Sequence, residues 1–347
     1  MSSPFRVGVL NDMADGPGGP VGDTTPLLRI PADDLVRSGR LDREVEFVHA
    51  YGLGLPSGTA AAVERAYAQL AGEDVLLIVG PAIGDDALVA TPLAQHYRIP
   101  TINWAGTERG RSEWMFHLQV GSHEDESLVL ARHLAGAGVR RIGVIHDRSP
   151  IGRRHLLFLQ EEADVLGVRI AGAASVSPLA EDATEEVRAV REGADALVYL
   201  GLGLAAPAVA RAVTAAGWTG PRAMNTCGMR GYVPGWAELL EGWMYVDMHS
   251  DGNTTLAALR SRLGPADRPG AAVAYHHDLG RLVAEGLARA PERTRGGVKE
   301  GLEAVKWLPA AQGHEGTLLG FGAHDRGALH GRYLVLRQWL DGRSVEL

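Results

Sequence analysis

Residues 75–107, VLLIVGPAIGDDALVATPLAQHYRIPTINWAGT, hold two apolar runs and a helical segment between them. The first run, Val75 to Val79, ends in Gly80-Pro81; the second, Ile99 to Trp104, ends at Ala105-Gly106. Two strands joined by a helix, both stopping at small-residue loops, read as a βαβ unit. Such units bind ligands beyond the carboxyl ends of their strands.

The same alternation runs along most of the chain. Further strand-like runs are RVGVL (6–10), EVEFVHA (44–50), RIGVIHD (141–147), VRIAGAAS (168–175), ALVYLG (196–201), PRAMN (221–225) and GWMYVDM (242–248). Between them lie segments with apolar residues at three- and four-residue spacing, such as 58–72 and 125–138. This order predicts an α/β fold with parallel, doubly wound sheets. Several strands are almost wholly apolar, as helices on both faces require. After Met248 the pattern changes. Helices are expected at 254–263, 270–290 and 295–306, then two β-rich pieces at 316–322 and 332–342. No Pro- or Ser-rich linker divides the chain, so two lobes would need more than one crossing between them.

A length of 347 residues suits two domains, because single cores stop growing at roughly 250–300 residues. The formal net charge of −8, with no basic cluster, argues against nucleic acid as a partner. No run approaches the ~18–20 apolar residues of a spanning helix, so no membrane insertion is expected. The opening MSSPFRVGVL enters a strand at once and has no leader pattern. The expectation is therefore extracytoplasmic if a leader was removed, otherwise cytoplasmic. The single cysteine, Cys227, excludes an internal disulfide and a multi-cysteine zinc site.

Three segments carry a resemblance. They are IVGPAIGDDALVATPLAQHYRIPTINWAGT, RIGVIHDRSPIGR, and AVAYHHDLGRLVAEGLARA at 272–290. In this order and spacing the chain resembles the type I periplasmic binding proteins, in particular the leucine/isoleucine/valine-binding branch, whose relatives include a cytoplasmic amide sensor. The stretch 11–43 departs from the family, being shorter than its long first helix and richer in Pro. The resemblance implies two Rossmann-like lobes joined by three crossovers near Val120, His249 and the 320–328 region. Lobe one would be 1–120 plus 250–322, and lobe two 121–249 plus 323–347. A ligand would be held in the cleft.

The resemblance also implies which residues meet that ligand. Gly84 replaces a hydroxyl residue that often holds the ligand carboxylate, leaving the backbone of Gly84 and Asp85 at a helix start. Asp85 or Asp86 could equally be a plain helix cap. Thr107 matches a threonine that binds the same carboxylate, with Ala105 and Gly106 beside it. Trp104 is either core or an apolar, cation-attracting wall. Ile151 stands at the aromatic-Gly position, and Leu202 and Gly203 form a cleft-lining loop. Tyr275 belongs to the family's Tyr-Asp helix, with His277 at the usual Asp position and Asp278 one later. Cys227, followed by Gly228, takes the place of the acid that pairs with an amino-acid ammonium. Its bland reading is a small buried hydrophobe. A shifted alignment would bring Asp247 or Glu238 into that role.

Enzyme readings find little support. G-x-G-x-x-A at 201–206 mimics a dinucleotide fingerprint, but the next strand, PRAMN, ends without an acid for a ribose. His276-His277 point to different faces of a helix and cannot chelate as an i,i+4 pair would. His146-Asp147 reads as ordinary strand-end polarity. No nucleophile elbow, zinc-protease or P-loop motif occurs. The expectation is no enzyme, no metal and no cofactor. The chain should be a monomeric or dimeric binding protein that closes two lobes on a small polar molecule (amino-acid-like, amide, aromatic or cationic) and hands it to an ABC-type permease. The alternative is a cytoplasmic ligand sensor of the amide-sensor type, acting on a regulatory protein.

Overall fold

The structure is a computed structural model that describes every residue except 1, 2, 18–22, 24, 265–268 and 323. Part of the 11–43 stretch, and residue 323 of the 320–328 region, thus lie outside the described residues. The described chain divides into two compact units, 1–120 with 248–333 and 121–247 with 334–347.

The first unit opens with β1 (Phe5–Asn11), α1 (Thr25–Arg37), β2 (Val45–Tyr51), α2 (Ala60–Gly72), β3 (Leu77–Val79), α3 (Gly84–Tyr97), β4 (Thr101–Asn103) and β5 (Met115–His117). The five strands form a parallel sheet in the order β2-β1-β3-β4-β5. The central strands β3 and β4 are buried at every residue. Their apolar run is what two covered faces demand. Thr59 begins α2 by accepting the Ala62 N–H on its hydroxyl. The inner face of α2 packs Val63, Ala66, Tyr67 and Leu70 against Leu10, Ile78 and Ile99.

The second unit contains α4 (His123–Gly136), β6 (Arg141–Asp147), α5 (Pro150–Leu166), β7 (Arg169–Val176), α6 (Thr184–Arg191), β8 (Ala196–Leu200), α7 (Ala206–Ala215), β9 (Arg222–Met224), a 3-10 turn at Thr226–Tyr232, and β10 (Met244–Asp247). Strand β8 is fully buried, whereas β7 alternates exposed and half-buried residues because it is the sheet edge. Helix α5 has sharp limits. Ser149 caps it, Pro150 opens it, and Gly167 in the left-handed region closes it.

The chain then returns to the first unit with α8 (Thr254–Leu263), α9 (Gly270–Arg289), α10 (Arg295–Glu303) and three short strands, β11 (Leu308–Pro309), β12 (Leu318–Leu319) and β13 (Leu329–His330). Helix α9 is buried along most of its length and packs against α1. The final β14 (Val335–Leu340) and β15 (Arg343–Glu346) extend the second sheet to β15-β14-β10-β9-β8-β6-β7. Strand β14 runs antiparallel to β10.

Two boundaries differ from the sequence reading. Residues 324–333 belong with the first unit, not the second. Gln119 explains this: its Oε1 accepts from Ala328 N at 3.0 Å and Leu329 N at 2.9 Å, while Gly327 bridges to His117, the last residue of β5. Residues 248–249 also join the first unit, where His249 bridges Gly313 and Met248 O accepts from Gly313 N at 2.8 Å. The last change of unit therefore falls after Tyr333.

Candidate functional site

In each sheet the strand order reverses beside the first strand, between β1 and β3 in one unit and between β6 and β8 in the other. Chains leave such a point in opposite directions and open a crevice beyond the carboxyl ends, where α/β folds bind ligands. In both units an aspartate fills that point.

In the first unit it is Asp12, directly after β1. Its carboxylate accepts from Ala82 N at 3.0 Å and Ile83 N at 2.8 Å, just ahead of α3. Ile83 is the cap residue of α3 and offers no side-chain acceptor, so Asp12 supplies the negative charge that a helix start attracts. Neither Asp85 nor Asp86 caps the helix. Both lie in its first turn and are buried, and Asp86 Oδ1 accepts from Leu55 N at 2.9 Å in the loop after β2. Burial, and then the charge of Asp12, push the Asp86 carboxyl up to about 8.

The next strand end carries the other expected residues of this unit. Trp104 is half-buried, and its ring stacks on Tyr275 of α9 with centroids 5.2 Å apart and planes 23° apart. His276 meets the same indole edge-on at 5.3 Å. The wall is built by α9, whose Asp278 accepts from Ala311 N and Gln312 N at 2.9 Å each. Asp278 is thus a clamp on the backbone, and His277 is its buried neighbour. Ala105 is fully buried and its carbonyl accepts from His117 Nε2 at 2.6 Å. Gly106 is half-buried. Thr107 is buried, and its Oγ1 accepts from Arg109 N at 3.4 Å. Gly84, Asp85, Trp104 to Thr107 and Tyr275 therefore share one edge of one unit.

In the second unit the filling residue is Asp147, at the end of β6. It accepts from Leu202 N at 2.7 Å and Ser149 N at 3.2 Å, and it takes the Ser149 hydroxyl as well. A Cβ at Gly201 would overlap this carboxylate, so only glycine lets the loop after β8 come so close. Asn225 fixes the same loop, accepting from Gly201 N at 3.1 Å and donating to Gly201 O at 3.0 Å. The glycine-rich loop therefore spends its N–H groups on the protein's own side chains, against a dinucleotide reading. The His146 ring pairs with the Asp147 carbonyl, not its carboxylate.

The remaining expected residues of this unit gather along the same edge. Ile151 is buried in the first turn of α5, and Leu202 is half-buried. Gly203 packs beside Cys227 and Arg230. Gly228 accepts from the Trp339 indole N–H at 3.0 Å. Cys227 is buried, and its burial holds the thiol well above its ordinary range, the acids Asp147 and Glu126 adding to the effect. That is the state of a small hydrophobe, not of a nucleophile. Asp247 accepts from the Tyr232 hydroxyl at 2.8 Å, whereas Glu238 is exposed.

The sequence reading missed Glu126. It is wholly buried in α4 and accepts from Ser122 N and Thr226 N at 2.6 Å each, which binds the helix to the loop of Cys227. Burial raises its carboxyl to about 7 against those two bonds. An acid thus stands beside position 227 in space, though not in sequence. Its place inside an amphipathic helix gave no signal.

These two doubly wound α/β units have the architecture of a type I periplasmic binding protein. The sequence profile of the periplasmic binding proteins matches residues 4–335, and the chain belongs to that family. Among curated proteins none matches the sequence. Solved structures are similar throughout. A periplasmic binding protein type 1 from Bordetella pertussis Tohama I is 16% identical, with a TM-score of 0.82 over 99% of this chain and 100% of that one. The leucine-binding protein LivK of Thermotoga maritima is 15% identical, with a TM-score of 0.81 over 99% and 97%. An ABC transporter substrate-binding protein from Desulfitobacterium hafniense, in complex with Leu, is 17% identical, with a TM-score of 0.78 over 99% and 100%. At these identities the likeness is one of fold. Among the described residues no helix is long and apolar enough to cross a membrane.

Proposed function

We propose that the protein is a solute-binding protein that takes a neutral, aromatic or cationic small molecule and delivers it to an ABC-type permease. The lobe closure implied by the resemblance is part of this reading, as is an extracytoplasmic site of action. Binding is non-covalent and needs no metal. The carrying observation is the contrast within one strand edge of the first unit. A broad ring pair, Trp104 on Tyr275, stands at the end of β4, while Asp12, Asp85 and Asp86 crowd the start of α3. Aromatic faces attract apolar and cationic groups.

A free α-amino acid bound in the family's usual manner needs a carboxylate at that helix start. Here the two N–H groups ahead of the helix already serve Asp12, and the hydroxyl position is Gly84. Each unmade charged hydrogen bond costs about 1.5–3 kcal/mol, roughly ten- to hundredfold in affinity. In the second unit the position of the ammonium partner is Cys227, with Asp247 held by Tyr232. A thermal-shift panel of amino acids, amides, aromatic acids and polyamines tests the reading. A ligand at about 100 times its Kd adds about 2.7 kcal/mol of stability. Trp104→Ala should abolish the shift given by the true ligand. Turnover of that ligand, or zinc retained stoichiometrically after dialysis, would refute the reading.

A further inference from the structure

Asp12 and Asp86 are both almost fully buried, at 2% and 0% exposure, and both hold backbone around the start of α3. Two carboxylates are acceptors only, so a direct contact between them requires a proton. Their surroundings assign it. Asp12 receives two backbone N–H groups, whereas Asp86 receives one, from Leu55, and its Oδ2 has no donor in the structure. An oxygen buried without a donor suits a carboxylic acid better than a carboxylate.

We propose that Asp12 and Asp86 share one proton and form a latch that fastens the loop after β2 to the start of α3, making this strand edge of the first unit responsive to pH. The latch has three points. Asp86 holds Leu55 N, the Asp12 carbonyl accepts from Gly54 N at 2.8 Å, and the Asp12 carboxylate holds Ala82 and Ile83. Gly54 completes it, since a Cβ there would overlap the Asp86 carboxyl and push the loop away. Asp85, next to Asp86 on α3, adds a further negative charge that favours keeping the proton, and Asp15 accepts from Leu53 N at 3.2 Å in the same loop.

The direction of the effect follows from linkage. The folded protein holds the Asp86 proton more tightly than the unfolded chain does, up to about 8 against the ordinary 3.8. The latch's stabilisation is complete below the ordinary value and is lost as pH rises through the folded one. Beyond it, two adjacent buried carboxylates repel and the loop loosens.

Hydrogen exchange of the 53–58 backbone and infrared detection of a protonated carboxyl, on the full chain without ligand, test the proposal. In the difference between the native and Asp86→Asn spectra, which cancels the Glu126 carboxyl, a protonated-carboxyl band should persist at neutral pH and vanish on crossing about 8, as loop protection falls. Asp86→Asn, whose amide can donate permanently to Asp12, should keep the loop protected at higher pH. Asp12→Asn removes the competing carboxylate and should move the Asp86 band to lower pH. Absence of the band at neutral pH, or equal loss of protection in the native and Asp86→Asn proteins, would overturn the proposal.

Discussion

At Asp147, one side chain holds the backbone of two elements. Its Leu202 and Ser149 bonds, at 2.7 and 3.2 Å, lie in a fully buried place, so truncation would strand two N–H groups without an acceptor. An unmet buried donor costs about 1–3 kcal/mol. Asp147→Ala should therefore lower unfolding stability by about 2–5 kcal/mol, as chemical denaturation would measure. A loss below about 1 kcal/mol would show that the loop finds other partners. Glu126 gives a second expectation. Its carboxyl is raised to about 7 from 4.5 by burial, so its contribution is whole below 4.5 and disappears as pH climbs through 7. Glu126→Gln should flatten that part of the stability profile, by something on the order of 3 kcal/mol. Parallel profiles for the two proteins would contradict it. At this scale the sequence was only partly legible. Trp104, Thr107 and Cys227 stood out because they sit in strand-end loops. Asp12 and Glu126 did not, because what distinguishes them is a partner about 70 or 100 positions away in the chain.

Among the elements, the interior strands were legible because burial on both faces leaves a nearly unbroken apolar run. Strand β5 was not, since three residues carry too little periodicity to be read. The start of α3 looked like an ordinary capped helix, and the acceptor came from β1 instead. On helix α9 the Tyr275 ring lies flat against Trp104. An offset pair of this kind adds about 0.5–1.5 kcal/mol beyond area burial. Tyr275→Ala should weaken ligand binding up to about tenfold, and Tyr275→Phe should leave it nearly intact, because stacking needs the ring and not the hydroxyl. Isothermal calorimetry would decide between this and a hydroxyl role, which Tyr275→Phe would expose by the larger loss.

Over the whole molecule, the doubly wound α/β architecture followed from alternation alone, but the late chain did not. The segment 324–333 is short, rich in Gly and His, and is placed by Gln119 far upstream. The last fourteen residues, by contrast, complete the second sheet. Strand β14 covers the β10 edge, and Trp339 is buried against Tyr245, with centroids 5.5 Å apart. Ending the chain at Tyr333 should therefore unfold the second unit while the first retains a separate calorimetric transition. One unaltered cooperative transition would contradict this division. The proposed binding centres on the strand edge that carries Trp104, Thr107 and the buried acids. Its direct test is titration calorimetry of the native and Trp104→Ala proteins with leucine, isoleucine and valine, and with neutral, aromatic and cationic small molecules. Weak or absent binding of the three amino acids is expected, with a tight ligand of another class whose affinity depends on Trp104. Micromolar or tighter binding of leucine, isoleucine or valine, lost in Thr107→Ala, would contradict it.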